Sequence, residues 1–349
     1  MPRSARLHIQ PARKMQRVLI KVVDMRCLML LMVALSACVR DSGPHDRSVL
    51  QSQFDTLWVV GGDTDAQLHD LGDMAIDSTF IYVVEWGGRR IVALDRHTGA
   101  LAWSVGAKGA GPGEFQRPGY LRPLPEGGVG VIDLANQRIT RISEAGVVAG
   151  STSTLEARGA VDSYCVLPNG NYLVSLIAQD SVAEIDVRGH LVRRVPLPWG
   201  YTDPTGLLTQ TMLVSHQYSG NCAAALFRGI MFSSYVDGRF TQPIEYVETW
   251  ALPKLHPGSP PEDSLLLDRI AVWDASMTHD TLWVAFGGLS TNADRWVDGY
   301  ELSTGIYLGS ILLPHRSTGV VVRGDVIIAR FRASDDTEYL YALRRRRNS

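Results

Sequence analysis

Lysine is nearly missing from this chain: of 34 Lys and Arg, only Lys14, Lys21, Lys108 and Lys254 are lysines. Two of those four precede residue 38, and the remainder carries 27 basic against 35 acidic residues, a formal charge of −8. That balance excludes a basic surface of the kind that follows a nucleic-acid backbone. Cysteine is also scarce, and four in 349 residues exclude a disulfide scaffold. No uninterrupted apolar run reaches the ~20 residues that a membrane-spanning helix requires. Among reaction signatures, Gly-x-Ser-x-Gly, His-Glu-x-x-His and the phosphate-loop Gly-Lys-Ser/Thr are all absent. His69, His97, His190, His216, His256, His279 and His315 are dispersed without metal-ligand spacing and read as solvated or hydrogen-bonded side chains.

What is present begins with an address. Seven basic residues and a single acid, Asp24, precede the uncharged run Cys27–Ala37, whose 11 residues are too few to span a bilayer but suit a secretory signal. The run ends in Leu35-Ser36-Ala37-Cys38, which resembles the lipobox of bacterial lipoproteins. That resemblance implies a diacylglyceryl group on Cys38 and cleavage before it, so 1–37 is read as the signal peptide. Asp24 and the length of the leader are unusual in such a signal; Met15 and Met25 are alternative starts, and the expected product lacks residues 1–14. Several acyl chains give stable anchoring, each buried methylene contributing about 0.8 kcal/mol. Val39 after the lipidated cysteine, where an Asp would retain the protein at the inner membrane, implies the outer membrane, facing the periplasm. Residues 38–53 are polar with Gly and Pro, so a flexible tether is expected there.

Beyond Phe54, short β-branched and aromatic runs alternate with Gly, Asp and Asn turns, which predicts an all-β fold. A unit of strand, turn, strand and closing glycine recurs. The closing residues Gly99, Gly146, Gly189, Gly238 and Gly305 are 47, 43, 49 and 67 residues apart, the last interval stretched by a Pro-rich insertion between Pro253 and Pro261. These intervals are the size of propeller blades. The 312 residues from Cys38 onward accommodate six. The sixth copy ends at Leu343 with nothing left for an outer strand, whereas Leu57-Trp58-Val59-Val60 has no unit of its own. The prediction is therefore a six-bladed β-propeller over 54–343, closed by the N-terminal strand pairing into the last blade, with 344–349 as a solvated basic tail. The tryptophans, mostly in or beside strands, are expected to pack between blades.

The run Gly109-Ala110-Gly111-Pro112-Gly113-Glu114-Phe115, followed by Val131-Ile132-Asp133 and Asn136-Gln137-Arg138-Ile139, resembles the inter-blade loop and repeat of NHL-type propellers, within the broader TolB-like six-bladed group. The glycine-rich run is read as a blade connector, because Pro118, Pro123 and Pro125 exclude a following helix that could hold a phosphate.

Propellers bind ligands where the inner strands border the central channel. Here those strands are predicted near Asp73–Ala75, Tyr120–Arg122, Asp162–Tyr164, Gln210–Met212, Arg269–Ala271 and Gly319–Val321. Asp73, Arg122, Asp162, Tyr164, Gln210 and Arg269 are then candidates to converge on one funnel; otherwise they are polar residues satisfied by water or backbone. Lactonases of this broad group hold a divalent cation with Glu, Asn and Asp. The mixture of Arg with Asp argues against such a site, so no metal, cofactor or catalytic residue is assigned. Cys165 and Cys222 lie in consecutive predicted blades and are either bridged or two buried thiols. Two functions fit: a monomeric, non-catalytic module binding a protein or small ligand, or a hydrolase or lyase of lactonase or strictosidine-synthase-like type using the channel.

Overall fold

The computed structural model describes residues 47–62, 68–199, 210–216, 220–248, 270–288, 292–334 and 337–346. The signal peptide, Cys38, Arg269 and the Pro-rich insertion lie outside the described residues. The fold is a β-propeller of six antiparallel sheets, built from residues 71–105, 118–153, 161–196, 211–245, 272–312 and 319–345. The sixth sheet is completed by Phe54–Gly61, which pairs antiparallel with the chain's last strand, Glu338–Arg345, from Phe54 opposite Arg345 to Gly61 opposite Tyr339. Ring closure by the N-terminal strand thus follows the reading from the repeat count. It also pairs the edge that blade six would otherwise present to other chains. Arg344 and Arg345, counted with the tail, continue this last strand instead.

The closing glycines explain the repeat physically. Gly99, Gly146, Gly189, Gly238 and Gly305 all have positive φ, between 72° and 92°, in the turn before the fourth strand of a blade. A Cβ at each would strike the outer strand of the preceding blade, at Trp58, Trp103, Ser153, Arg193 and Ile244 in turn. Only glycine supplies both the left-handed turn and that close approach.

Six apolar clusters, one at each seam between neighbouring blades, form the core. Cys165 of blade three and Cys222 of blade four meet in one of them, fully buried and bridged, with 6.2 Å between their Cα atoms. The glycine-rich connector is held from behind. Buried Asp133 accepts the backbone N–H groups of Gln116, Arg117, Ala135 and Asn136, while Asn136 donates to Gly109 O at 3.0 Å and Arg138 to Gly111 O at 2.7 Å. These bonds occupy the loop in structure, consistent with a connector.

The end of the segment read as a tether is fixed against blade five. Val49–Gln51 adds a parallel strand outside Tyr307–Leu312. Arg47 then enters a buried slot, 3.0 Å from Asp298 and 2.8 Å from Glu248, with its guanidinium 5.1 Å from the Phe286 ring and 5.3 Å from the Trp296 ring.

Candidate functional site

The inner strands of the six blades are Leu71–Ile76, Pro118–Pro123, Val161–Val166, Thr211–Ser215, Val272–Thr278 and Gly319–Arg323. Four of them, in blades one, two, three and five, carry a register shift near their first residues, between Leu71 and Met74, Pro118 and Leu121, Val161 and Tyr164, and Val272 and Asp274. Bulges redirect side chains that strict alternation would assign to another face.

The hub is stitched by side chains that reach the next blade's backbone. Asp73 accepts Leu121 N–H at 2.7 Å, Ser163 accepts Leu213 N–H at 2.8 Å and Asp274 accepts Val320 N–H at 2.8 Å. Arg330 donates to the carbonyls of Leu71 and Gly72 across the closure seam. Arg122 does the most: buried in the middle of the channel, it donates to Tyr164 O and Leu213 O in the two following blades and pairs with Asp73 at 3.2 Å.

Where the inner strands begin, the channel opens into a cavity of about 800 Å³. Trp86, Tyr120, Phe227 and Trp273 line it, with Asp73, Asp162 and Asp274 set among Arg89, Arg117, Arg330 and Arg332. Trp86 is 46% exposed and fixed by its indole N–H on Pro118 O; Trp273 is held by Asp294. Burial dominates the acids. It raises Asp73 against the pull of Arg122, and lifts Asp274 to about 8 with help from the charge of Asp73. Asp162 is pushed up to about 6 by burial, with a Gln210 hydrogen bond and the Arg117 charge acting in the other direction. Its Oδ1 accepts from Gln210 Nε2 at 3.2 Å, but its Oδ2 has no partner among the described residues, although the residue is only 8% exposed. An unpaired buried acceptor is costly and calls for a donor.

Of the residues read as a funnel, the structure brings Asp73, Asp162 and Gln210 to this mouth. Tyr164 is corrected: its ring is wholly buried in the seam between blades two and three, because the bulge after Val161 turns it away from the channel. Arg122 is also corrected, since it plugs the channel below the mouth and borders the opposite opening. Arg269 lies outside the described residues, and blade five contributes Asp274 and Trp273 in its place. Trp86, Tyr120, Trp273, Asp274 and Arg330 were missed by sequence reasoning. One signal existed for Asp274: like Asp73, it stands seven residues before the first residue of its blade's second strand, Thr281 or Phe80. Among the described residues, no three His, Cys, Asp or Glu side chains are grouped as ligands for one ion.

No family model matches the chain, and no curated protein matches it in sequence. Solved structures do resemble it. A Bacteroides fragilis protein described as exported superimposes with a TM-score of 0.55 at 13% identity, over 84% of this chain and 95% of that one. Catalytically inactive virginiamycin B lyase from Staphylococcus aureus, solved with quinupristin, superimposes with a TM-score of 0.50 at 11% identity, over 83% of this chain and 88% of that one. At such identities the likeness shows the fold alone, a six-bladed β-propeller whose structural relatives include both an enzyme and an exported protein.

Proposed function

We propose that the chain is a lipid-anchored, extracytoplasmic propeller of the NHL or TolB-like kind, held at the outer membrane by Cys38, that works as a monomer and binds a small ligand without transforming it. The single observation that supports ligand binding is Asp162 Oδ2, a buried acceptor without a partner among the described residues, inside a cavity lined by aromatic rings. A ligand placing an N–H or O–H there and an apolar face against Trp86 and Trp273 satisfies the acceptor and buries apolar surface together. Screening a small-molecule library by thermal shift tests this, because a ligand bound only by the folded state raises its stability. The expected hits quench tryptophan emission and lose their effect in Asp162→Asn; a library without such a hit removes the reading. Labelling with radioactive palmitate, abolished in Cys38→Ala, tests the anchor.

The hydrolase or lyase reading has one observation in its favour. Asp162 and Asp274 share the cavity and titrate apart, near 6 and near 8, as an acid and base pair does. Hits that are consumed in solution would decide for it.

A further inference from the structure

The channel has a second opening where the inner strands end, a cavity of about 660 Å³ on the far side of Arg122. Its polar groups are mostly donors. Ser215 is 6% exposed and lines the cavity, and its Oγ has no partner among the described residues. Ser276 Oγ accepts Val322 N–H at 3.1 Å and Thr278 Oγ1 accepts the Trp283 indole N–H at 2.9 Å. One lone pair of each is thereby engaged by the protein, while each O–H proton remains able to donate to a further acceptor.

Positive charge surrounds these hydroxyls. Arg323 and Arg345 line the opening with the imidazoles of His216 and His279, whose rings lie 5.7 Å apart although 63 positions separate them in sequence. Arg345 is held over the Trp283 ring at 5.7 Å and donates one N–H to Gly324 O, which leaves its other N–H groups for a ligand. Among the described residues the only carboxylate in the lining is Asp325, which Arg344 approaches to 3.8 Å. Arg122 borders the cavity too, but Asp73 and backbone carbonyls already occupy it. Burial and the like charges of His279 and Arg323 hold His216 below its ordinary pKa, with Asp280 opposing them. A positive pocket in a body of net charge −8 is a local reversal of sign.

We infer that this opening is a second binding site, independent of the aromatic mouth, and that it takes a compact phosphate-bearing anion. Three hydroxyl protons and the Arg345 N–H groups not taken by Gly324 O, beside the charge of Arg323, already exceed the roughly four lone-pair positions of a carboxylate. A phosphate group presents more oxygen acceptors, and its bonds to arginine are charge-assisted. The phosphate could belong to a free monoester or to the diester headgroup of an anionic lipid beside which the anchored protein sits.

Isothermal titration calorimetry of the full chain with inorganic phosphate and with sn-glycero-3-phosphoglycerol, at low ionic strength, separates these sources. The expected result is saturable binding of one probe, weakened about fivefold or more by Arg345→Gln and by Ser215→Ala but not by Arg89→Gln at the other mouth. Preference for inorganic phosphate identifies a free ligand, and preference for the diester a headgroup. Ser215→Ala removes one buried oxygen and adds nothing, so it reports on the site even where Arg345→Gln disturbs the last strand. Binding of neither probe, or affinities unchanged by both variants, overturns the proposal and leaves the aromatic mouth untouched.

Discussion

Replacing Asp162 with asparagine is expected to stabilise the protein, and by an amount that depends on pH. The carboxyl is pushed up to about 6 in the folded state, chiefly by burial, from an ordinary value near 3.8. An acid raised on folding is a burden when ionised: the penalty is absent below the unfolded pKa, grows as pH rises between the two values and is complete above the folded one. Moving a titration midpoint by one pH unit corresponds to about 1.36 kcal/mol, so the ionised group costs about 3 kcal/mol at pH 8 and about 1 kcal/mol at pH 4.5. Asparagine has nearly the same shape and keeps the oxygen that accepts from Gln210. It carries no charge, and its Nδ2 faces the cavity in place of the unpaired Oδ2. Urea unfolding of wild type and Asp162→Asn at the two pH values reads the difference directly, provided the slopes agree. The gain should widen by about 2 kcal/mol from pH 4.5 to pH 8. A gain that is constant with pH, or a loss at pH 8, would show that Asp162 is not strained by burial, and the argument for a ligand donor at Oδ2 would fall with it.

Three further outcomes are expected. Arg122→Met leaves Asp73 buried without its cation and the carbonyls of Leu121, Tyr164 and Leu213 each short of a donor, so it should cost about 3–5 kcal/mol in urea unfolding; a change below about 1 kcal/mol would mean that the hub stitching is incidental. Reducing the Cys165–Cys222 bridge, which closes a sequence separation of 57, should lower stability by about 4 kcal/mol on the chain-entropy model. Mass mapping without reduction should find both cysteines unreactive to alkylation. Arg47→Ala removes the cation that Asp298 and Glu248 share in the slot of blade five; limited proteolysis should then cut near Val49 much faster than in wild type, while Phe54–Gly61 stays protected in blade six.

How much of this was legible depends on whether a feature was set by the repeat or by a departure from it. The closing glycines announced the blades because each meets the same steric demand, a left-handed turn pressed against the preceding blade. The unpaired strand at Leu57 announced closure for an arithmetic reason, since one blade lacked a strand and one strand lacked a blade. Asp73, Asp162 and Gln210 could be placed at the channel because their inner strands began where the repeat put them. Blade five broke that rule: the insertion stretched its interval to 67 residues, so the inner strand was expected at Arg269–Ala271 rather than Val272–Thr278, and Asp274 was passed over. Tyr164 failed for a different reason. In a regular strand it shares a face with Asp162, two residues earlier, and only the bulge separates them, sending one to the cavity and the other to a seam. The far opening was the least legible, because His216, His279 and Arg323 lie where the inner strands of three different blades end, and their proximity is a property of the closed ring. A bulge that costs ladder hydrogen bonds in four of six blades, always at the same end, is the kind of local departure a binding mouth requires. The regular repeat builds the ring, and its shared irregularity aims Asp73, Asp162 and Asp274 into the channel.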